Sequence, residues 1–103
     1  MQMKANVLSR KLAALKIQRS TKQPSCVRGY YTFSGGFYVE QYEDEEGVLI
    51  IGWRNSRAKA DEDVLPFMRT SVNMPILIEA VRGLGFEVLS LSDDRAVIKA
   101  VQA

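Results

Sequence analysis

Alternation of apolar and polar side chains predicts β-strands in the first half of the chain. Residues 26–33, 37–42 and 48–53 are rich in aromatic and β-branched side chains, and short turn sequences separate them. The first two segments alternate with a period of two, whereas the third is apolar on both faces, as in a strand inside a sheet. Ser-Gly-Gly at residues 34–36 is typical of a tight hairpin turn. The pattern therefore predicts a three-stranded antiparallel meander.

An amphipathic helix is predicted ahead of these strands. Residues 2–20 contain no Gly or Pro and are rich in Leu, Ala, Lys, Arg and Gln, which all favour helix. Leu8, Leu12 and Leu15 form a stripe at spacings of four and three. This stripe is the side of the helix that we expect to pack on the sheet.

A second helix and two further strands are predicted in the second half. Residues 74–84 carry apolar side chains at i, i+3, i+4 and i+7, with Asn73 as N-cap and Gly85 as a left-handed C-terminal cap. Residues 86–91 and 95–101 follow as a β-hairpin. The order is helix, meander, helix and hairpin. It predicts a single α+β domain over all 103 residues, with a largely antiparallel sheet.

The link between the third strand and the second helix is polar and irregular. Residues 54–59 are basic, and residues 61–63 are acidic. Acidic side chains stabilise helix N-termini, so residues 61–63 are predicted to cap a short turn through residues 64–68, which Pro66 keeps short.

Composition is that of an ordinary globular protein, with 47% hydrophobic and 25% charged residues. The longest apolar run, residues 48–53, is far too short to cross a membrane. The first residues lack the apolar stretch of a secretory signal, and the single Cys26 fits a reducing compartment. We therefore expect a cytoplasmic protein with no membrane partner.

Two absences limit the chemistry of the chain. There is no histidine and only one cysteine, which excludes Ser–His and Cys–His catalysis and the usual zinc sites within one chain. We expect no enzymatic activity, no catalytic residue and no cofactor or bound metal. Carboxylates alone can hold magnesium or calcium. The favoured interpretation of the acidic cluster is nevertheless a solvated hairpin tip; it consists of Glu40, Glu43, Asp44, Glu45 and Glu46.

Charge is divided unevenly along the chain, although the net charge is only +2. Before Glu40 there are seven basic residues and no acid, whereas the remainder has a net charge of −5. Such asymmetry indicates a polyanionic or acidic partner. The basic residues that we single out as candidate binding residues are Lys4, Arg10, Lys11, Lys16, Arg19, Lys22 and Arg28, with Arg54 and Arg57 as an extension together with Lys59.

Aromatic residues supply a second candidate surface. The sequence Arg-Gly-Tyr-Tyr-Thr-Phe at residues 28–33 resembles part of the basic–glycine–aromatic signature of RNA-recognition strands. Tyr30, Tyr38 and Tyr42 are predicted to share one sheet face, where such rings stack on unpaired bases. The element order differs from that RNA-binding fold, and Glu40 falls on the same face. The favoured interpretation is that these tyrosines cover a helix-packed or half-exposed sheet surface.

Two hypotheses of function remain open. In the first, the chain is a small non-enzymatic protein that docks on nucleic acid or a nucleoprotein machine through its basic N-terminal segment. In the second, it is a protein–protein interaction module, such as an inhibitor or adaptor of a larger assembly, or a homodimer. The helices carry more apolar residues than one sheet face can cover, which favours the second hypothesis. Examples are Val7, Ile17, Ile76 and Ile78.

Overall fold

The computed structural model describes residues 4–25, 28–42 and 45–101. In this part of the chain the fold is α+β, with two α-helices and two antiparallel sheets. Three short 3-10 turns, Ser56–Ala58, Asp61–Asp63 and Pro66–Met68, lie between the fourth strand and the second helix. In chain order the elements are α1 (Ala5–Ala14), β1 (Lys22–Pro24), β2 (Tyr31–Phe33), β3 (Gly36–Gln41), β4 (Val48–Arg54), α2 (Thr70–Gly83), β5 (Phe86–Leu91) and β6 (Arg95–Ala100).

The main sheet has four strands in the order β3-β4-β6-β5. The continuously apolar strand β4 lies inside it, as predicted, because it pairs with β3 on one side and β6 on the other. One face of the sheet packs on both helices. The core between them contains Leu8 and Leu12 of α1, Leu77 and Val81 of α2, and Phe37, Leu49, Ile51, Trp53 and Ile98 of the sheet.

Helix α1 is shorter than predicted. Leu8 and Leu12 are fully buried, but Leu15 lies beyond the last helical residue and is 53% exposed. The helix ends because Lys16 adopts a positive φ of 64°. The chain then crosses to the sheet, where the Phe37 N–H donates to the Gln18 carbonyl at 2.9 Å. Residues predicted as the last helical turn therefore bind the edge of β3.

The predicted three-stranded meander is wrong in its first strand. β3 and β4 form the expected hairpin, but β2 pairs with β1 in a separate two-stranded ribbon. Cys26 and the start of the predicted strand lie outside the described residues. The Ser-Gly-Gly sequence does not form a tight turn, because Gly36 is already the first residue of β3. A Cβ on Gly36 would lie only 2.5 Å from the Ser20 nitrogen, so glycine here permits the crossing of two backbones.

Helix α2 begins at Thr70, four residues earlier than predicted. The predicted N-cap, Asn73, lies inside the helix, and its side-chain amide donates to the Phe67 and Arg69 carbonyls. The C-terminal prediction is confirmed, because Gly85 has a φ of +94° just after the helix. The final hairpin is also confirmed, with β5 and β6 antiparallel. Neither helix in the described part of the chain has the length and apolar character needed to span a membrane.

The N-terminus of α2 is capped from a distant loop. The Asp61 carboxylate accepts the Thr70 and Ser71 backbone N–H groups, each at 3.0 Å. The Asn55 amide donates to the same carboxylate at 2.7 Å. The Asn55 side-chain hydrogen bond, followed by the bonds from Ser71 and Thr70, holds the pKa of Asp61 well below its ordinary value. Asp61 therefore caps α2, rather than the short turn predicted from sequence.

Asp61→Ala is expected to lower the free energy of unfolding by about 1–2 kcal/mol near neutral pH, the usual effect of losing a helix cap. Because the pKa of Asp61 is lowered in the folded state, its contribution is complete above pH ~4 and declines as the pH falls below that value. Urea unfolding between pH 7 and pH 2 measures both effects. Asp63→Ala, which removes an exposed carboxylate from the same turn, is the matched control; an equal loss in both variants would contradict the cap.

Candidate functional site

The second face of the main sheet carries a polar and aromatic cluster at one end. Register pairs Tyr38 of β3 with Gly52 of β4, and Gly52 with Arg95 of β6, so Tyr38 and Arg95 lie on the face opposite the helices. A Cβ on Gly52 would lie 2.5 Å from the Tyr38 ring atoms and 2.6 Å from the Asp94 carbonyl oxygen. The Tyr38 ring therefore lies directly across Gly52, and the lack of a side chain on this glycine leaves room for the ring.

Arg54, the last residue of β4, joins this cluster to the β1–β2 ribbon. Its guanidinium carbon lies 4.1 Å from the centroid of the Tyr38 ring and 4.3 Å from that of the Phe33 ring in β2. Its Nε atom is buried and has no hydrogen-bond acceptor among the described residues. The two cation–π contacts hold the guanidinium in place, and no acid among the described residues forms an ion pair with it.

The loop after β4 brings two further cations to the same place. Asn55 is almost fully buried, and its side-chain Nδ2 donates to the Lys59 backbone carbonyl at 2.9 Å, while its side-chain Oδ1 accepts the Thr70 hydroxyl at 3.2 Å. These bonds tie the loop to the start of α2. Arg57 in this loop adopts a positive φ of 55° and is exposed. The hydrogen-bonded loop thus fixes the backbone that carries Arg57 and Lys59.

Together these residues form an open groove of about 730 Å³ between the ribbon and the sheet. This volume lies within the usual range of ligand-binding clefts. Four cations line the groove against two carboxylates, those of Glu40 and Asp94. Asp94 is itself paired with Arg95, at 3.6 Å. The aromatic and basic lining residues are Tyr31, Phe33, Tyr38, Trp53, Arg54, Arg57, Lys59 and Arg95.

The groove combines a phenol, guanidinium groups and exposed aromatic rings. Burial is the main cause that raises the pKa of the Tyr38 phenol, so the ring stays neutral at physiological pH and its hydroxyl can donate a hydrogen bond. Guanidinium groups are charged at all such pH values and match phosphate geometry. Tyr31 is 61% exposed on the ribbon side, which leaves much of its ring accessible for stacking.

No protein-family model, curated protein or solved structure matches this chain.

The structure brings only some of the sequence-predicted binding residues together. Tyr38, Arg54, Arg57 and Lys59 line the groove. Lys22 of β1 lies at its border, since its Nζ is 4.1 Å from the centroid of the Tyr31 ring. The remaining predicted residues lie outside the groove lining and are exposed: Lys4, Arg10 and Lys11 at or within α1, Lys16 and Arg19 after it, and Arg28 and Tyr30 between β1 and β2.

The predicted tyrosine face is correct for Tyr38 but not for Tyr30, which precedes β2 in the separate ribbon. Sequence reasoning also missed Phe33 and Arg95 as groove residues. The sequence pattern places Phe33 in a strand of the main sheet, and Arg95 lies beside Tyr38 only because β6 pairs with β4. The basic loop at residues 54–59 is the local sequence signal that coincides with this groove, because Arg54, Arg57 and Lys59 line it.

The acidic cluster at residues 40–46 forms no metal site among its described residues. Glu43 and Asp44 lie outside the described residues, and the exposed Glu45 forms an ion pair with Lys99 at 3.7 Å. Within residues 4–25, 28–42 and 45–101, no group of three acidic or cysteine side chains is arranged to hold a metal ion.

Proposed function

We propose that the chain binds single-stranded nucleic acid in the groove between the β1–β2 ribbon and the open face of the main sheet. The observation that carries this proposal is the Arg54 guanidinium, which contacts the Phe33 and Tyr38 rings and forms no ion pair with a described acid. A cation fixed by ring contacts keeps its charge available to an anionic ligand. The groove is therefore a polyanion site with aromatic walls.

The other cations support an extended ligand rather than a single small anion. Arg57, Lys59 and Arg95 line the same groove as Arg54, and all three are exposed. Successive phosphates of a nucleic-acid backbone present several negative charges at regular spacing, and each contact with Lys or Arg releases condensed counterions. Several separate cations in one open groove suit such a ligand.

The aromatic residues support single strands rather than duplexes. Tyr31 and Phe33 are residues that are 61% and 41% exposed beside the cations. Bases in a duplex stack on one another, whereas unpaired bases stack on exposed aromatic side chains. A binder that used only phosphates would need no such rings. We therefore propose that one or two unpaired bases stack on the ribbon while the backbone follows the cations.

The basic N-terminal segment, which the sequence favours as the docking surface, stays a prediction. Its residues Arg10 and Lys11 are exposed on α1, and Lys22 reaches the border of the groove through Tyr31. A longer nucleic acid that leaves the groove past Lys22 would contact further Lys and Arg side chains of this segment. Gln substitutions made in the groove alone, or in the N-terminal segment alone, show which of the two surfaces binds the nucleic acid.

The proposal is tested by titrating the protein with labelled single-stranded RNA, single-stranded DNA and duplex DNA of equal length at several salt concentrations. We expect single strands to bind at least about tenfold more tightly than the duplex, since base stacking contributes about 1–3 kcal/mol per base. Affinity should fall steeply with salt. Equal affinity for the duplex would contradict base stacking, and no binding at low salt would contradict the proposed function.

A second candidate function is protein–protein interaction, as an inhibitor, an adaptor or a homodimer. The specific observation is the exposure of large apolar side chains outside the groove. Leu65 and Phe67, in and beside one 3-10 turn, are 63% and 67% exposed, and Ile76 of α2 is 50% exposed. Ile78, in contrast, is buried in the core. Apolar side chains that are exposed in one region commonly mark contacts with another protein.

A further inference from the structure

A second groove lies on the helix-bearing side of the sheet, between α2 and the β5–β6 hairpin. Its volume is about 790 Å³, similar to that of the first groove. Its apolar lining consists of Met74, Pro75 and Ile78 of α2 and Leu91 at the end of β5. Leu91 points to the core side in the register of the hairpin, yet it is 59% exposed, because β5 is an edge strand of the described sheet. Met74 and Ile78 are only 4% and 6% exposed and belong to the core, so the apolar floor that this groove exposes consists of Pro75 and Leu91.

The border of this second groove is acidic. Four carboxylates and a single cation, Arg82, line it. Two of the carboxylates are engaged, because Asp61 caps α2 and Asp94 pairs with Arg95. The other two, Glu79 and Asp93, are exposed. The groove thus combines an apolar floor with negative charge at its border, the opposite sign to that of the first groove.

We propose that this second groove docks a segment of a partner protein that carries a large apolar side chain next to Lys or Arg. The apolar side chain would be buried against Pro75 and Leu91, and the basic side chain would pair with Glu79 or Asp93. Charge complementarity selects basic segments over acidic ones and also excludes nucleic acid from this groove. The lining of the groove thus determines the chemistry of the occupant.

This docking site does not depend on the function of the first groove. The two grooves share Thr70 and Asp94 at their common border, but their remaining lining residues differ in character. A chain that uses both would connect a nucleic acid to a protein. Either site can be lost by mutation while the other remains.

The test uses a library of random phage-displayed peptides of about 12 residues, the length of common short recognition segments. The library is first depleted on the folded Glu79→Lys/Asp93→Lys variant and then selected on the wild-type protein. We expect the enriched peptides to carry Leu, Ile or Phe beside Lys or Arg. They should bind the variant about tenfold or more weakly, because reversed charge repels a basic peptide.

The matched control is Glu46→Lys/Glu87→Lys, which reverses two exposed acids outside the groove and should bind the same peptides as the wild type does. Backbone amide NMR should map the bound peptide to residues 74–79 and 91–93. The proposal is overturned if no peptide is enriched, if the enriched peptides are acidic, if the control variant loses binding equally, or if the perturbed amides lie elsewhere.

Discussion

Replacing Arg57, Lys59 and Arg95 together by Gln is expected to lower the affinity for single-stranded RNA about 100-fold at about 0.1 M salt. The reason is that each lost phosphate contact lowers the dependence of log affinity on log salt concentration by about 0.7. The slope of log affinity against log salt should become less steep by about 2. All three side chains are exposed in the groove, so their loss should leave the fold intact. Fluorescence anisotropy across a salt series measures both quantities.

The matched control removes the same charge from α1. Lys4, Arg10 and Lys11 are exposed and lie outside the groove lining, and Gln favours helix, so the triple Gln variant should fold normally. We expect its affinity to change by less than about threefold at a salt concentration that screens distant charges. The opposite result, a large loss in the α1 variant and little in the groove variant, would move the binding surface to the N-terminal segment.

Gly36→Ala is expected to lower the free energy of unfolding by about 3 kcal/mol or more, at the upper end of the cost of overpacking a tight site. The added methyl group would lie 2.5–2.7 Å from backbone atoms of residues 18–20, which cannot move without breaking the hydrogen bonds to Phe37. Because β2 and its Phe33 lie between the two crossing segments in the chain, the substitution should also weaken the docking of the ribbon on Arg54. Chemical denaturation monitored by circular dichroism measures the loss.

Gly83→Ala is the control for this prediction. Gly83 is the last residue of α2, and a Cβ there would meet nothing within 4 Å. Alanine favours helix over glycine by up to about 1 kcal/mol, so this variant should be as stable as the wild type or slightly more stable. A Gly36→Ala variant with unchanged stability would contradict the close crossing and, with it, the arrangement of the ribbon.

Much of the fold could be predicted from sequence because its signals are local. Period-two alternation and the apolar run located β3, β4, β5 and β6 to within about two residues, and the stripe of Leu8 and Leu12 located the buried side of α1. The errors arose where a distant contact decides the structure. Helix α2 begins early because Asp61 supplies its cap across nine residues, and no pattern near Asn73 reveals this.

The candidate site was harder to predict because it is assembled from segments that are distant in sequence. The distribution of charge along the chain favours the N-terminal Lys and Arg residues as the binding surface. It does not show which side chains lie close together in the fold. Arg54 was noticed as part of a basic loop, but its contact with Phe33 depends on the separate ribbon. Arg95 joins the site only through the pairing of β6 with β4.

The most direct test of the central claim is to follow backbone amide and Tyr ring signals by NMR while single-stranded RNA is added. If the groove binds RNA, the largest changes should occur at residues 31–33, Tyr38, Arg54, residues 57–59 and Arg95, with little change in α1. Changes confined to residues 5–19, or no change at concentrations where the salt-dependent binding is saturated, would contradict the assignment of nucleic-acid binding to this groove.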